Sequence, residues 1–148
     1  KVDEGLGLRT SAFGFVDTAL ENLMIKVDYS FFINVILTGI TDPADDVQIL
    51  SFQILNKLAN NNPLPLSSYI DKLVDKFEES LVKFNKSLNS KQEGERVNDC
   101  VRSFIRVIIT LTKISDIESV PKFKDFYQEK IIKNEKLKDI YNQLGASF

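Results

Sequence analysis

Apolar residues recur at helical spacing along almost the whole chain, the pattern of helices that each bury one face. Leu6, Leu8, Ala12, Phe13, Val16, Leu20 and Leu23 form one stripe and predict a helix near 6–26. Asp3 or Glu4 suits its N-terminus, and Gly5 and Gly7 weaken its first turn. Phe31, Phe32, Val35, Ile36 and Ile40 line a second helix over 28–40, with Asp28 as N-cap and an end at Gly39 and Thr41-Asp42-Pro43. A third spans 45–60. Val47, Ile49, Leu50, Phe52, Ile54, Leu55 and Leu58 leave it few polar faces, so it belongs at the centre.

Asn60-Asn61-Asn62-Pro63-Leu64-Pro65 reads as a breaker and loop. A fourth helix follows over 66–82, capped by Ser67 or Ser68, with Tyr69, Ile70, Leu73, Val74, Phe77 and Leu81 inward. Residues 84–92 read as a loop or a short hairpin. A fifth helix covers 93–114 through Val97, Cys100, Val101, Phe104, Val107, Ile108 and Leu111. Pro121 opens a sixth over 120–133. Asn134 caps a seventh over 135–144, and Gly145 serves as its C′ stop.

The expected fold is therefore all-α, a HEAT-repeat-like α-solenoid of about seven helices in stacked antiparallel hairpins. A compact helical bundle is the alternative. The repeat itself is visible. Leu8-Arg9-x-x-Ala12-x-x-x-Val16 and Val47-Gln48-x-x-Ser51-x-x-x-Leu55 share their apolar, polar and small positions 39 residues apart. Val101-Arg102-x-x-Ile105-x-x-x-Ile109, 54 residues further on, keeps all but the small one. The small residue lets neighbouring helices approach, and the polar one is expected at the outer edge. Residues 1–148 are read as one all-helical domain. With Lys1 first and a helical pattern already under way, they are read as a fragment of a longer protein.

The composition narrows the chemistry. The 148 residues contain no histidine and one cysteine, Cys100. Ser-His and Cys-His nucleophile pairs and His-ligated metal sites are thereby excluded. Cys100 falls on an inward stripe and reads as a small buried core residue, and a lone cysteine fits a reducing, intracellular setting. No apolar run reaches membrane-spanning length, so no membrane association is expected. Glu78-Glu79 and Asp45-Asp46 read as solvated pairs, and the Asp42-Pro43-Ala44-Asp45-Asp46 turn as helix capping rather than a calcium loop. There is no P-loop, and Gly5 with Gly7 gives only a fragment of a dinucleotide fingerprint. No metal or cofactor is implied.

The net charge of -2 averages unlike halves. Residues 1–74 carry 5 basic and 9 acidic side chains, and residues 75–148 carry 14 and 12. Between 83 and 106 six basic residues face three acidic ones, a composition that suits an acidic protein partner or an ordinary mixed surface. The lysines after 120 alternate with acids, which argues against a nucleic-acid stripe.

The segment Val2-Asp3-Glu4-Gly5-Leu6-Gly7-Leu8-Arg9-Thr10-Ser11-Ala12-Phe13 resembles the V-D-D-G-L-x-[IL]-R-x-x-A-F segment near the C-terminal end of the cullin-associated and neddylation-dissociated proteins, first described as TATA-binding-protein-interacting proteins. Leu73-Val74-Asp75, Lys91-Gln92-Glu93-x-Glu95 and Arg102-Ser103 follow in the same order. The resemblance implies a non-catalytic HEAT-repeat scaffold of the cytoplasm and nucleus that wraps a cullin bound to its RING-box protein. Such a scaffold exchanges substrate receptors and regulates assembly of cullin-RING ubiquitin ligases. Its C-terminal repeats would cover the cullin N-terminal region and compete with the substrate-receptor adaptor through a projecting loop or hairpin. That element corresponds here to about Lys83–Gln92, which makes Lys83, Phe84, Asn85, Lys86, Leu88, Lys91 and Gln92 the expected partner-binding residues. Phe84 and Leu88 either anchor on a partner or fold back onto their own helices. Another HEAT or armadillo scaffold, serving transport or a phosphatase, is the alternative function. A small helical enzyme is disfavoured by the missing histidines and phosphate loops.

Overall fold

Each apolar stripe becomes one helix because burying it offsets the conformational entropy of ordering the chain. In the computed structural model, which describes residues 5–22, 29–61, 63–88, 95–114 and 117–145, these helices are α1 (Leu6–Asn22), α2 (Tyr29–Ile40), α3 (Asp45–Asn61), a single turn α4 (Pro63–Leu66), α5 (Ile70–Leu88), α6 (Glu95–Thr112), α7 (Pro121–Phe126) and α8 (Glu135–Gly145). A 3-10 turn over Ser67–Tyr69 leads into α5, and another over Ile117–Ser119 precedes α7. The chain continues from α7 as a π-helical stretch, Tyr127–Ile132. No strand occurs among the described residues.

The helices stack in two layers. α1, α3, α6 and α8 lie side by side in that order, each against the next. α2, α5 and α7 form the second layer in the same order, and α2 also packs across α3. This is an all-α stack of helical hairpins. The three aligned repeat segments fall on α1, α3 and α6, the consecutive helices of one layer. The longer second interval accommodates the added α4 turn and the 19-residue α5. α3 is central, with Val47, Phe52, Ile54, Leu55, Leu58 and Ala59 buried against α1, α2 and α6.

The two layers are joined by a cluster of rings. Phe104 of α6 lies 5.6 Å from Phe52, 5.5 Å from Phe77 and 5.6 Å from Phe84 between centroids, and Phe77 meets Phe126 of α7 at 6.0 Å. Such tilted and edge-on pairs add about 0.5–1.5 kcal/mol each beyond the area they bury.

Several expectations change. α5 runs to Leu88, so residues 84–88 are helix and not loop; residues 89–92 lie outside the described residues. The breaker is narrower than expected, since α3 continues through Asn61 and Pro63 opens a helical turn. Pro tolerates that first-turn position because its missing N–H has no partner there anyway. Neither Ser67 nor Ser68 caps a long helix, and the Ser67 hydroxyl instead donates to the Leu64 carbonyl at 2.9 Å. The fifth helix closes at Thr112, with residues 113–114 in a turn. Gly145 is the last helical residue and not the stop beyond it. The expected caps at Asp3, Glu4 and Asp28 and residues 23–26 of the first helix lie outside the described residues. Asn134 does cap α8, its side-chain oxygen accepting from the Leu137 N–H at 3.2 Å.

Gly39 marks the closest approach of α2 to its neighbours. A Cβ there would overlap the Ser51 hydroxyl of α3 and stand 2.5 Å from Cζ of Phe13 in α1. Gly14, by contrast, meets no atom beyond its own helix backbone within 4 Å of its Cβ position among the described residues. Gly39→Ala is expected to destabilise by about 1–3 kcal/mol through overpacking. Gly14→Ala is expected to stabilise by up to about 1 kcal/mol through helix propensity. Urea midpoints at unchanged slope measure both; a Gly39→Ala protein as stable as its parent refutes the close approach.

Candidate functional site

The expected partner-binding residues begin where α5 crosses the end of α2. A helix leaves its last carbonyls without internal partners. The Ile40 carbonyl, in a buried position, accepts from Gln48 Nε2 at 2.9 Å and from the Ser80 hydroxyl at 3.0 Å. Gln48, only 2% exposed, then turns its Oε1 toward Cys100 Sγ, which donates at 3.2 Å, and toward Lys83 Nζ at 3.3 Å. Lys83 Nζ also pairs with Asp45 Oδ1 at 2.8 Å. The repeat's polar position was expected at the outer edge. In α3 it is buried, because only a long amide reaches the Ile40 carbonyl while satisfying its own two ends.

Cys100 is fully buried, and burial pushes its thiol from 9.0 up to about 12; the Asp45 carboxylate adds to the rise and Lys83 opposes it. A thiol held protonated in this way is a packing group and not a nucleophile.

The other expected contact residues separate into two sets. Phe84 is fully buried in the ring cluster, so it folds back onto its own helices. Asn85 accepts from Asn134 Nδ2 at 3.1 Å. Leu88 is half-buried, and its carbonyl accepts from Lys136 Nζ at 2.6 Å, which ties the end of α5 to α8. Lys86 is exposed. Lys91 and Gln92 lie outside the described residues. The spacing Phe77, Leu81, Phe84, Leu88 was the available signal that the helix continues, since steps of four and three keep one face.

A second surface was missed. α1, α3 and α6 enclose an open groove of about 440 Å³ whose floor includes the half-buried Ile49 and Leu50. Asp46, Asp99, Arg102 and Arg106 stand around it. The legible signal was Asp99, Arg102 and Arg106 at steps of three and four along α6. On the far side of α1, Arg9 grips Asp42 at two points, Nε to Oδ2 at 2.9 Å and Nη2 to Oδ1 at 3.2 Å. Asp42 also accepts from the Ala44 N–H at 2.9 Å, and so starts α3 while anchoring α1. Among the described residues no group of three or more His, Cys, Asp or Glu side chains could share a metal ion. No helix among them is long and apolar enough to cross a membrane.

Comparison with known proteins covers most of the chain. Residues 1–130 match the family described as "TATA-binding protein interacting (TIP20)". The chain is 30% identical over 131 residues to Cullin-associated NEDD8-dissociated protein 1 of Dictyostelium discoideum, 88% of this chain and 11% of that protein. It is 32% identical over 123 residues to the protein of the same name from Arabidopsis thaliana, 83% of this chain and 10% of the relative. Cullin-associated NEDD8-dissociated protein 2 of Mus musculus is 29% identical over 125 residues, 84% of this chain and 10% of its own length. The chain thus spans about a tenth of these relatives. No solved structure matches it.

Phe84→Ala is expected to cost about 3–5 kcal/mol, and Lys86→Ala to stay within about 0.5 kcal/mol. Chemical denaturation of both variants checks the division; a tolerated Phe84→Ala contradicts it. Cys100 carries a pH signature. Its folded value is raised above its unfolded one, so the unfolded chain ionises first, and the contribution of Cys100 to stability is constant below pH 9.0 and falls from there toward about 12. At about pH 9 a disulfide reagent should label the unfolded chain at once and the folded chain only as it opens. Prompt stoichiometric labelling of folded protein counts against the buried thiol.

Proposed function

The chain belongs to the TATA-binding protein interacting family, and we propose that it serves as a non-catalytic helical scaffold that binds a cullin. The match of residues 1–130 to that family carries this reading, and the names of the relatives supply the partner. The architecture supports it physically. Stacked hairpins present continuous faces on both layers, and such faces recognise large, shaped protein surfaces.

In this proposal the segment covers the N-terminal region of a cullin bound to its RING-box protein. It competes there with the substrate-receptor adaptor, and so takes part in receptor exchange on cullin-RING ubiquitin ligases, in the cytoplasm and the nucleus. The end of α5 and the residues after it are the competing element. Lys86, with Lys91 and Gln92, makes the direct contact. Lys83, Phe84, Asn85 and Leu88 act by holding the end of α5 against α3, α6 and α8.

Wrapping scaffolds spread their contacts, so one segment binds weakly and gains from its neighbours. Residues 1–148 alone should bind an isolated cullin N-terminal region with a dissociation constant weaker than about 1 µM. Lys86→Glu should weaken it further, and added adaptor should displace it. Cross-linking and NMR titration at high protein concentration measure this. No contact with any cullin sinks the proposal, and sub-micromolar binding sinks its distributed-contact part.

A further inference from the structure

α8 packs on α6 and on the π-helical stretch before it, with Leu137 and Leu144 buried and Tyr141 edge-on to Tyr127 at 5.8 Å. From that base it reaches α5 through two polar side chains. Asn134 stands at the joint between the π-helical stretch and α8. Its Oδ1 caps α8 at the Leu137 N–H, and its Nδ2 donates to Asn85 Oδ1 at 3.1 Å. One amide thus uses both its ends, one to start its own helix and one to hold a helix 49 residues earlier. Two positions on, Lys136 Nζ donates to the Leu88 carbonyl at 2.6 Å. Leu88 is the last residue of α5, where a helix leaves carbonyls without internal partners and its dipole favours a cation. Lys86, the exposed residue of the candidate contact, lies between the two ties.

We propose that Asn134 and Lys136 are positioning residues for the α5 end: they set the pose in which Lys86 meets its protein partner, and α8 thereby sets the affinity of that contact. The proposal rests on the scaffold reading for the partner, a cullin, and not for the tie itself. A helix end whose last carbonyls are unmet frays. A frayed end must be reordered on binding, and that ordering subtracts from affinity. Phe84, buried among rings, fixes α5 up to its last turn. Asn85, Lys86 and Leu88 come after it, and the two bonds from α8 hold that turn. Both bonds issue from the first turn of one helix, so they form and break with it. By reciprocity, a partner that grips the α5 end in this pose also steadies the start of α8.

Amide hydrogen exchange of the 148-residue protein tests the tie without a partner, and titration with a cullin N-terminal region tests its consequence. Asn134→Ser keeps a good cap for α8 but is too short to reach Asn85. Lys136→Met keeps a long side chain, loses the donors and touches no cap. Each should speed exchange at residues 85–88 by about five-fold while the amides of Ile140 to Leu144 stay as they are. Asn134→Asp still caps α8 and meets Asn85 once that amide turns its NH2 toward the carboxylate, so it should exchange like the parent. Lys138→Met makes the same change of charge at another exposed position of α8 and should leave the α5 end unmoved. Affinity for the cullin should fall about three-fold or more in Asn134→Ser and Lys136→Met and hold in Asn134→Asp and Lys138→Met. Unchanged exchange at the α5 end in both tie variants, or faster exchange with undiminished cullin binding, overturns the proposal. An equal loss of affinity in Lys138→Met also overturns it, since charge and not pose would then govern. If the parent protein binds no cullin, the scaffold reading falls and the affinity half of the proposal with it, while the exchange comparison still decides the tie.

Discussion

The rest of the structure depends on how the carbonyl end of α2 is satisfied. Ile40 closes that helix inside the protein, and a buried carbonyl left bare costs about 1–3 kcal/mol. Two side chains reach it, Gln48 from α3 and Ser80 from α5. α3 belongs to one layer and α5 to the other, so one oxygen fixes both layers against the first hairpin. Gln48 passes the constraint on, since its own oxygen must then be met by Lys83 and Cys100. The position of α5 and the register of α6 thus follow from the end of α2. The ring cluster around Phe104 adds cohesion, but rings tolerate several tilts. Directional bonds to a single acceptor tolerate far fewer.

The polar position of the repeat shows how one pattern serves different ends. Arg9, Gln48 and Arg102 occupy equivalent places in α1, α3 and α6. Arg9 clamps Asp42 in the turn before α3, and Gln48 closes the end of α2. Both tie their own helix to the connection between α2 and α3. The connection after α6 differs, because a 3-10 turn and Pro121 lead into α7 there. Arg102 is left at the rim of an open groove.

The order of the long helices and most of their boundaries were legible, because burial on one face at a 3.6-residue period is a strong local signal. The layer order was partly legible too, since the aligned segments fall on neighbouring helices of one layer. What was not legible depended on distant partners. Asn85 and Ser87 make residues after Phe84 look like loop, yet Phe84 and Leu88 continue the stripe because Phe104 waits to cover Phe84 and Leu88 packs against the core. Gln48 looked like a surface residue because no local pattern announces a carbonyl eight residues back. Cys100 was read as core from its stripe alone, and that stripe was sufficient.

The expected contact site divided for the same physical reason. A lysine, a phenylalanine, an asparagine and a leucine near a chain turn look alike to composition, whether they face a partner or their own fold. Geometry separates them by the partners already met. Lys83 has Asp45, Phe84 has two rings and Asn85 has Asn134. In a fold that works by surface, a side chain whose bonding capacity is filled at home has little left for recognition. Among the described residues, Lys86 at the end of α5 and the Arg102–Arg106 pair on α6 are side chains with capacity to spare. They lie at different places on the stack, so a partner that engaged both would have to span it. Each contact could then be weak while the whole is selective, which is the economy that a stacked helical surface permits.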